Sequence, residues 1–153
     1  MKILAIDIGA GTQDILLFDS KKKTENCVSL VLTTPSNFFA EKLKTIQNHV
    51  YIRGDTIGGG SLSRAILRHI QKGYRVVMEE SAAYSIRNDL DEVRSMGIEV
   101  GRKPETDHFQ ELEIQEVNLS LLEQFLLNFG EDLKVEVIAL AVQDHGVSPK
   151  GVS

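Results

Sequence analysis

The sequence is poor in the residues that several kinds of functional site require. Cys27 is its only cysteine among 153 residues, which excludes a disulfide framework, a multi-cysteine iron–sulfur site and a cysteine-rich zinc site built by one copy of the chain. Tryptophan is absent and aromatic residues make up 6%, so stacking platforms for single-stranded nucleic acid are not expected. Basic residues number 17 against 22 acidic ones, and the resulting net charge of -5 argues against general nucleic-acid binding.

Long apolar segments are also missing. No run of apolar residues is long enough to span a membrane as a helix. The amino-terminal segment reaches a charged residue at Asp7 too early for a secretory signal peptide. A single cysteine and the lack of an export signal favour a reducing, cytoplasmic location.

What the sequence does contain is the apolar pattern of an α/β fold. Short apolar runs at 2–7, 13–19 and 27–33 are separated by short polar gaps, which predicts an antiparallel meander of three strands. Helical spacing and strand-like runs then alternate, giving the order βββαβαβα. The predicted strands at 50–53 and 75–79 should extend the first sheet in parallel, because helices connect them.

The same pattern predicts the helices and the later strands. Ser36 or Asn37 is the expected N-cap of the first helix, and two further helices are expected over 61–72 and 81–96. Beyond residue 97 the expected elements are, in order, a strand at 98–100, a strand at 112–117, a helix over 119–129 and a buried strand at 135–142.

A glycine turn between the first two predicted strands is the first candidate site. Glycines let backbone N–H groups converge on an anion, and two aspartates flank the turn where they could hold a hydrated divalent cation beside a phosphate. A plain tight hairpin is the alternative interpretation. The candidate metal-binding and catalytic residue here is Asp7, and the candidate cofactor-binding residues are Gly9, Gly11, Thr12, Gln13 and Asp14.

Two better-known phosphate motifs do not fit this turn. Gly9 and Gly11 supply the first two glycines of G-x-G-x-x-G, but Asp14 stands at the third position and a strand, not a helix, is predicted next. A Rossmann turn must open a helix whose N-terminus holds the pyrophosphate. A Walker A loop is excluded because no Gly-Lys-Ser/Thr occurs.

A second glycine-rich segment, residues 54–60, lies between a predicted strand and a predicted helix. Its last residues are Gly58, Gly59 and Gly60, followed by Ser61 as a candidate N-cap. Free N–H groups and the helix dipole at such a position favour an anion. Three consecutive glycines cost conformational entropy, which favours a cofactor-binding role over the alternative of a flexible connection.

Acidic residues follow two other predicted strands. Glu79 and Glu80 lie where a strand ends and a helix begins, and Asp144 with His145 follows the last predicted strand. Each pair also has a purely structural interpretation. Glu79 and Glu80 can be favourable acidic charge in a first helical turn, and Asp144 with His145 can be an ordinary turn that ends a strand. If these strands run parallel to the first, their carboxyl ends meet at the edge where open α/β sheets bind ligands. The glycine segments would then contact phosphates, while Asp7 and a neighbouring glutamate would act on metal and water.

The segment from Asp7 to Asp14 resembles the first phosphate loop of the actin-like ATPase superfamily, which includes sugar kinases, Hsp70 chaperones and actin. It is particularly similar to the Asp-x-Gly-Gly-Thr-x-Thr-Asp opening of hydantoinase-type members. Residues 79–83 (EESAA) resemble the Glu-Pro-x-Ala-Ala connection of the chaperones. The order βββαβαβα is that of one lobe of this superfamily, which has a ribonuclease H-like mixed sheet with flanking helices.

The resemblance implies ATP and Mg²⁺ as cofactors and gives individual residues roles. Asp7 would place the metal, and Asp144 would mirror it as a second catalytic and metal-binding carboxylate. Gly11 and Thr12 would contact phosphates. One of the two glutamates in residues 79–83 would match the catalytic glutamate of the motif.

The resemblance also implies a division of the chain. Residues 1–97 would form the actin-like lobe, 98–134 its extension, and 135–153 the beginning of a second lobe supplied by the same or another chain. The expected function is binding of a nucleotide or a phosphorylated small molecule for a kinase or ATPase, with no nucleic-acid or membrane partner. The alternatives are a non-catalytic nucleotide-binding regulatory module and a nuclease-like metal enzyme.

The whole chain is also similar to a prokaryotic family that is labelled as related to pyruvate formate-lyase activating enzyme. The activity in that label belongs to radical enzymes with a Cys-x₃-Cys-x₂-Cys cluster motif. A chain whose only cysteine is Cys27 does not contain this motif, so radical chemistry on this chain is not expected.

Overall fold

The computed structural model describes residues 1–106 and 108–143. Its regular elements, numbered along the chain, are β1 Lys2–Ile8, β2 Thr12–Asp19, β3 Val28–Thr33, α1 Pro35–Thr45, β4 His49–Gly54, α2 Gly60–Gln71, β5 Val76–Met78, α3 Glu80–Ala83, α4 Leu90–Ser95, β6 Glu99–Val100, β7 Phe109–Ile114, α5 Leu119–Leu127 and β8 Val137–Ala141.

The fold is mixed α/β with two sheets, and its contacts divide the chain into two compact units. Unit 1 comprises Met1–Thr34 and Val117–Gln143, and unit 2 comprises Pro35–Glu116. Each unit has its own four-stranded sheet and its own apolar core. The ribonuclease H-like form of the fold and the domain boundaries at residues 97 and 134 stay predictions.

The sheet of unit 1 has the strand order β3-β2-β1-β8. The antiparallel meander predicted for the first three strands is confirmed. The parallel neighbour of β1 is a different segment from the one predicted. β8 pairs with it over Ile3–Asp7, whereas β4 and β5, predicted at 50–53 and 75–79, belong to the second sheet. The prediction that those two strands extend the first sheet is therefore wrong, because β8 occupies the free edge of β1.

One face of this sheet forms the core of unit 1. Alternate residues of β1 and β2 pack against the apolar side of α5, as the period of two along a strand requires. The buried residues of this core are Leu4, Ile6, Ile8, Ile15, Leu17, Leu122 and Leu126. The strand predicted as buried at 135–142 is instead exposed along its whole length, because it lies at an edge of the sheet. That part of the prediction is wrong.

The sheet of unit 2 is entirely parallel, in the order β6-β5-β4-β7. Its apolar face packs against all four helices of the unit around Ile52, Met78 and Ile114. The connection from β6 to β7 runs back across the sheet, so a right-handed crossover places it on the opposite face. Lys103 of that connection contacts Glu111 and the hydroxyl of Tyr51, which agrees with this placement.

Several element boundaries differ from the prediction for local reasons. The first helix begins at Pro35, where the ring presets the helical φ and no N–H is lost, and not after a cap at Ser36 or Asn37. The helix predicted over 81–96 is two short helices, and the second has its own N-cap because the Asp89 carboxylate accepts a hydrogen bond from the Asp91 N–H. The strand predicted at 112–117 is β7, which begins at Phe109 to pair with β4.

Within the part of the chain that the structure describes, every helix is too short or too polar to cross a lipid bilayer.

His69 is a buried histidine in the last turn of α2. The residue is 3% exposed. Its ring stacks on Tyr74 at 4.8 Å between ring centroids and donates from Nε2 to the carbonyl oxygen of Asn48 at 2.8 Å. Burial lowers the pKa of His69, although the hydrogen bond to Asn48 opposes the shift. The folded protein therefore favours the neutral ring more strongly than the unfolded chain does.

We expect the free energy of unfolding to decrease as the pH falls from about 7 to about 5, because the unfolded chain binds a proton at His69 below about pH 6.5 while the folded chain resists it. Urea unfolding followed by circular dichroism at several pH values measures this. His69→Gln should flatten the pH dependence, whereas the exposed His108→Gln control should keep it. An unchanged slope in His69→Gln would contradict the assignment.

Candidate functional site

Asp7 and Asp14 lie directly opposite each other on β1 and β2. The period of two along the strands places both on the face of the unit 1 sheet that α5 does not cover, and both side chains are exposed. They line an open depression of about 390 Å³ whose other lining residues include Ala5, Leu16, Ser29, Ala139 and Ala141. Like charges directly opposite each other on a sheet are destabilising, so this pair has an unfavourable interaction that a bound cation would relieve.

The turn between these strands is a tight hairpin. The Gly9 N–H donates to the carbonyl oxygen of Thr12 at 2.9 Å, and Gln13 donates from Nε2 to the carbonyl oxygen of Thr33 at 2.9 Å. The Gly9 N–H and the Gln13 side chain were predicted to bind a cofactor, but both form hydrogen bonds within the turn and the sheet. The Thr12 hydroxyl lies 3.4 Å from Oδ2 of Asp14, beside the depression. β2 begins at Thr12, so the prediction that a strand and not a helix follows the turn is confirmed.

The pairing of β1 with β8 determines which other segment reaches this site. The two strands are parallel, and Asp7 lies beside Ala141. The carboxyl ends of both strands therefore lie at one edge of the sheet. Asp144, the predicted second metal ligand, lies outside the described residues, and its role stays a prediction. Within residues 1–106 and 108–143, no group of three or more histidine, cysteine, aspartate or glutamate side chains is placed to hold a metal ion.

The second glycine segment belongs to unit 2, and its shape follows from close backbone packing. Gly54 has a φ of 115°, and a Cβ atom there would lie 2.2 Å from the Ile114 carbonyl oxygen. A Cβ atom at Gly59 would lie 1.8 Å from the carbonyl oxygen of Ser85. These glycines allow a close approach that no other residue permits.

Polar contacts fix the rest of this segment onto its neighbours. The Thr56 hydroxyl donates to the Ser81 carbonyl at 2.7 Å, and the buried Ile57 N–H donates to Oγ of Ser85 at 2.8 Å. The segment is therefore packed onto α3 and the residues after it, and the alternative of a flexible connection does not describe it.

The beginning of α2 retains part of its predicted capacity for an anion. The first N–H groups of a helix have no partner within the helix. That of Leu62 donates to Oγ of Ser36 at 3.2 Å, and that of Ser63 donates to the Gly59 carbonyl. The remaining first-turn N–H groups belong to Gly60 and Ser61, and the position where a Gly60 side chain would be is open space.

Glu79 and Glu80 lie at the carboxyl end of β5, as predicted, and both are exposed. Glu79 accepts a hydrogen bond from the Gly54 N–H at 3.2 Å, so the ends of β4 and β5 meet as expected. Glu80 points along α3 and accepts a 3.4 Å hydrogen bond from the Tyr84 hydroxyl. Loss of hydration, followed by the Glu80 charge, raises the pKa of Tyr84. The turn at 9–12 is in the other unit, and the cleft predicted between it and Gly58–Gly60 stays a prediction.

Sequence reasoning missed a charged network on the outer face of the unit 2 sheet. Arg53 pairs with both Glu111 and Glu113, and Lys103 lies 3.1 Å from Glu111. The buried Tyr51 lies beside it, and burial, followed by nearby glutamate charge, raises the pKa of Tyr51. The alternation of glutamates with Leu112 and Ile114 in β7 was the signal that could have revealed this face.

Residues 57–153 match the family described as "Putative pyruvate format-lyase activating enzyme (DUF1786)". The match covers more than half of the chain, and the chain belongs to this family. The matched residues include the glycine segment from Gly58 onward, Glu79 and β8. The turn at 9–12 lies outside the match. No curated protein matches the chain. No solved structure matches it either.

We expect Gly59→Ala to destabilise unit 2 by about 1–3 kcal/mol, because the new Cβ atom would overlap the Ser85 carbonyl and force the backbone to move. Gly60→Ala is the matched control. Its Cβ atom enters open space in the first turn of a helix, where alanine is favoured over glycine, so stability should be unchanged or slightly higher. Denaturant midpoints measure both, and equal losses would contradict the packing argument.

Proposed function

We propose that this chain is the phosphate- and nucleotide-binding part of an actin-like, ATP-dependent enzyme, a kinase or an ATPase. The observation that carries the proposal is the pairing of Asp7 with Asp14 across β1 and β2, beside an open depression of about 390 Å³. Among the described residues, neither of these two exposed acids forms a salt bridge. They offer negative charge where a cation can reach it from solvent.

Two carboxylates fit Mg²⁺ better than a metal that requires more ligands from the protein. Mg²⁺ keeps several of its waters and is bound through one or two carboxylates together with the oxygens of a phosphate substrate. Asp7 and Asp14 would supply the carboxylates, and the bound ion would neutralise charge on the phosphates. The Thr12 hydroxyl beside Asp14 would donate to a phosphate oxygen.

The arrangement of strands supports an actin-like lobe in unit 1. An antiparallel meander with a parallel strand beside β1 is how the mixed sheet of such a lobe begins, although β8 supplies that strand here. Because Asp7 lies beside Ala141, the segment after β8 leaves the sheet next to the proposed metal site. Asp144 is the carboxylate we assign to that segment, and a second lobe of the same or another chain would complete the nucleotide site.

Within unit 2, Glu79 and the beginning of α2 are a separate candidate phosphate site. The Glu79 carboxylate lies beside Gly54, and the N–H groups of Gly60 and Ser61 would bind a phosphate oxygen in the way that helix N-termini do. Either Glu79 or Glu80 would orient a water or hydroxyl at a phosphate that is bound within unit 2.

A nucleotide-binding module without turnover is the second candidate. The observation in its favour is that the depression beside Asp7 and Asp14 is open, so a nucleotide bound there would not be held from several sides, as phosphoryl transfer requires.

We expect Mg²⁺ to raise the melting temperature of the chain, because ligand binding to the folded state alone is stabilising. Asp7→Ala and Asp14→Ala should abolish this response and, in the presence of EDTA, raise the free energy of unfolding by about 0.2–1 kcal/mol by removing the like-charge pair. Glu123→Ala, an exposed acid on α5, is the control with the same charge change. An equal Mg²⁺ response in all four proteins would contradict the site.

We expect little or no ATP hydrolysis by residues 1–153 alone. Phosphoryl transfer requires the nucleotide to be held from several sides, and a net charge of -5 repels polyphosphate unless Mg²⁺ offsets it. Phosphate release and ATP titration followed by amide NMR shifts at residues 9–12 and 58–61 measure turnover and binding separately.

Sustained hydrolysis that survives Asp7→Ala would contradict both the lobe and the role of Asp7. Hydrolysis that requires an added second lobe and is lost in Asp7→Ala would support the enzyme. Binding without turnover in that combination would support the module.

A further inference from the structure

His49 and Arg75 meet at the amino ends of β4 and β5, at the end of the unit 2 sheet opposite Glu79. The Arg75 N–H donates to Nδ1 of His49 at 2.9 Å, and the Arg75 carbonyl accepts from the Val50 N–H at 3.0 Å. A ring nitrogen accepts a hydrogen bond only while it carries no proton, so the first contact requires the neutral imidazole with its hydrogen on Nε2. The His49 ring therefore fastens the connection from α2 to β5 onto the beginning of β4.

The side chain of Arg75 is held by a neighbouring carboxylate. Its guanidinium makes two hydrogen bonds to Glu99 of β6, at 2.8 and 2.9 Å, and lies 5.2 Å from the centre of the Phe109 ring. The uncharged Phe109, of β7, also contacts the His49 ring, with 5.4 Å between ring centroids. Glu99 is close enough to His49 for their charges to attract. A cationic His49 would therefore compete with the Arg75 guanidinium for Glu99.

A second histidine borders the same connection from α2. The Tyr74 ring lies between the two, with its centroid 4.8 Å from His69 and 6.3 Å from His49. Burial, and then the charges of Lys72 and His49, lower the pKa of His69, although the hydrogen bond to Asn48 opposes them. The His69 contact would also survive protonation, because Nε2 donates in both states of the ring. Of the two histidines, His49 is the one whose hydrogen bond a proton breaks.

We propose that His49 is a pH-sensitive switch that opens residues 72–75 when it binds a proton. Histidine is the side chain that ordinarily changes its charge between about pH 5 and 8. A proton from water that binds at Nδ1 converts the acceptor into a donor, so that two N–H groups face each other and the Arg75 N–H loses its partner. The cationic ring then moves toward Glu99, and the connection separates from the beginning of β4.

The rest of unit 2 stays folded while this segment opens. Residues 76–78 of β5 are buried and pair with β4 on one side and β6 on the other. The Glu79 N–H donates to the Ile52 carbonyl at 2.8 Å and fixes the other end of β5. Residues 72, 73 and 75 are exposed, and segments with few buried contacts open at a lower free energy than a core does. The inference does not depend on phosphate or nucleotide binding.

Amide hydrogen exchange of the full chain, measured by NMR between about pH 7.5 and 5.5, tests the proposal. We expect the protection factor of the Arg75 amide to fall about tenfold or more as the His49 ring titrates, followed by its ¹⁵N shifts. The Asp55 amide, which donates to the Ile114 carbonyl at 2.9 Å at the other end of the sheet, should keep its protection. An Arg75 amide that stays protected through this titration would overturn the proposal, as would a neutral ring with its hydrogen on Nδ1.

Two variants of His49 separate its acceptor role from its ring. His49→Gln provides an amide oxygen that accepts at either pH, so the Arg75 amide should stay protected in acid. His49→Phe keeps a ring without an acceptor, so this amide should exchange rapidly at both pH values. His69→Gln is the matched control and should keep the wild-type response. An acid response that persists in His49→Gln, or one that only His69→Gln removes, would contradict the switch and assign the opening to His69.

Discussion

The parallel ladder between β1 and β8 is the interaction on which the rest of unit 1 depends. It joins Ile3 to Val137 and Asp7 to Ala141, segments from the two ends of the described chain. Ion pairs support the same junction, since Lys2 contacts Asp132 at 2.7 Å and Lys22 contacts Glu131. The carboxylate of Asp132 keeps a lowered pKa because of Lys2 and the Lys134 N–H. Along the sequence, unit 2 is therefore inserted between β3 and α5, which both belong to unit 1.

The two glycine segments look alike in the sequence, but glycine is needed in each of them for a different physical reason. In the turn after β1, Gly9 is used for a tight hairpin, and the aspartates on either side of the turn form the candidate site. In the segment after β4, Gly54 and Gly59 are required because carbonyl groups of Ile114 and Ser85 pass where a side chain would be. The entropic cost of three consecutive glycines, which suggested a cofactor-binding role for the second segment, did not reveal these backbone contacts. Gly60 is the position where open space and a helix N-terminus coincide.

Residue patterns predicted the local elements well where short-range forces decide them. The meander of β1, β2 and β3 followed from apolar runs and short gaps, and α2 and α5 followed from their periodicity. The break between α3 and α4 was missed because Asp89 caps a new helix by accepting a hydrogen bond from the Asp91 N–H. The spacing of apolar residues does not reveal such a cap. The partner of β1 was also missed, because strands that alternate with helices give no signal of which sheet they will join.

The sequence by itself determined the α/β class, the acidic and glycine residues of the candidate site and the exclusion of cysteine-based centres, since these depend on composition and neighbouring residues. Tertiary structure alone decided that Asp7 faces Asp14 across one ladder, that Glu79 contacts Gly54, and that the apolar β8 lies at an exposed edge. The physical reason is that strand pairing is a long-range choice. Hydrogen bonds between segments that are distant in the sequence set the register. The same apolar run can be an interior strand or an edge strand, depending on which other strands pair with it.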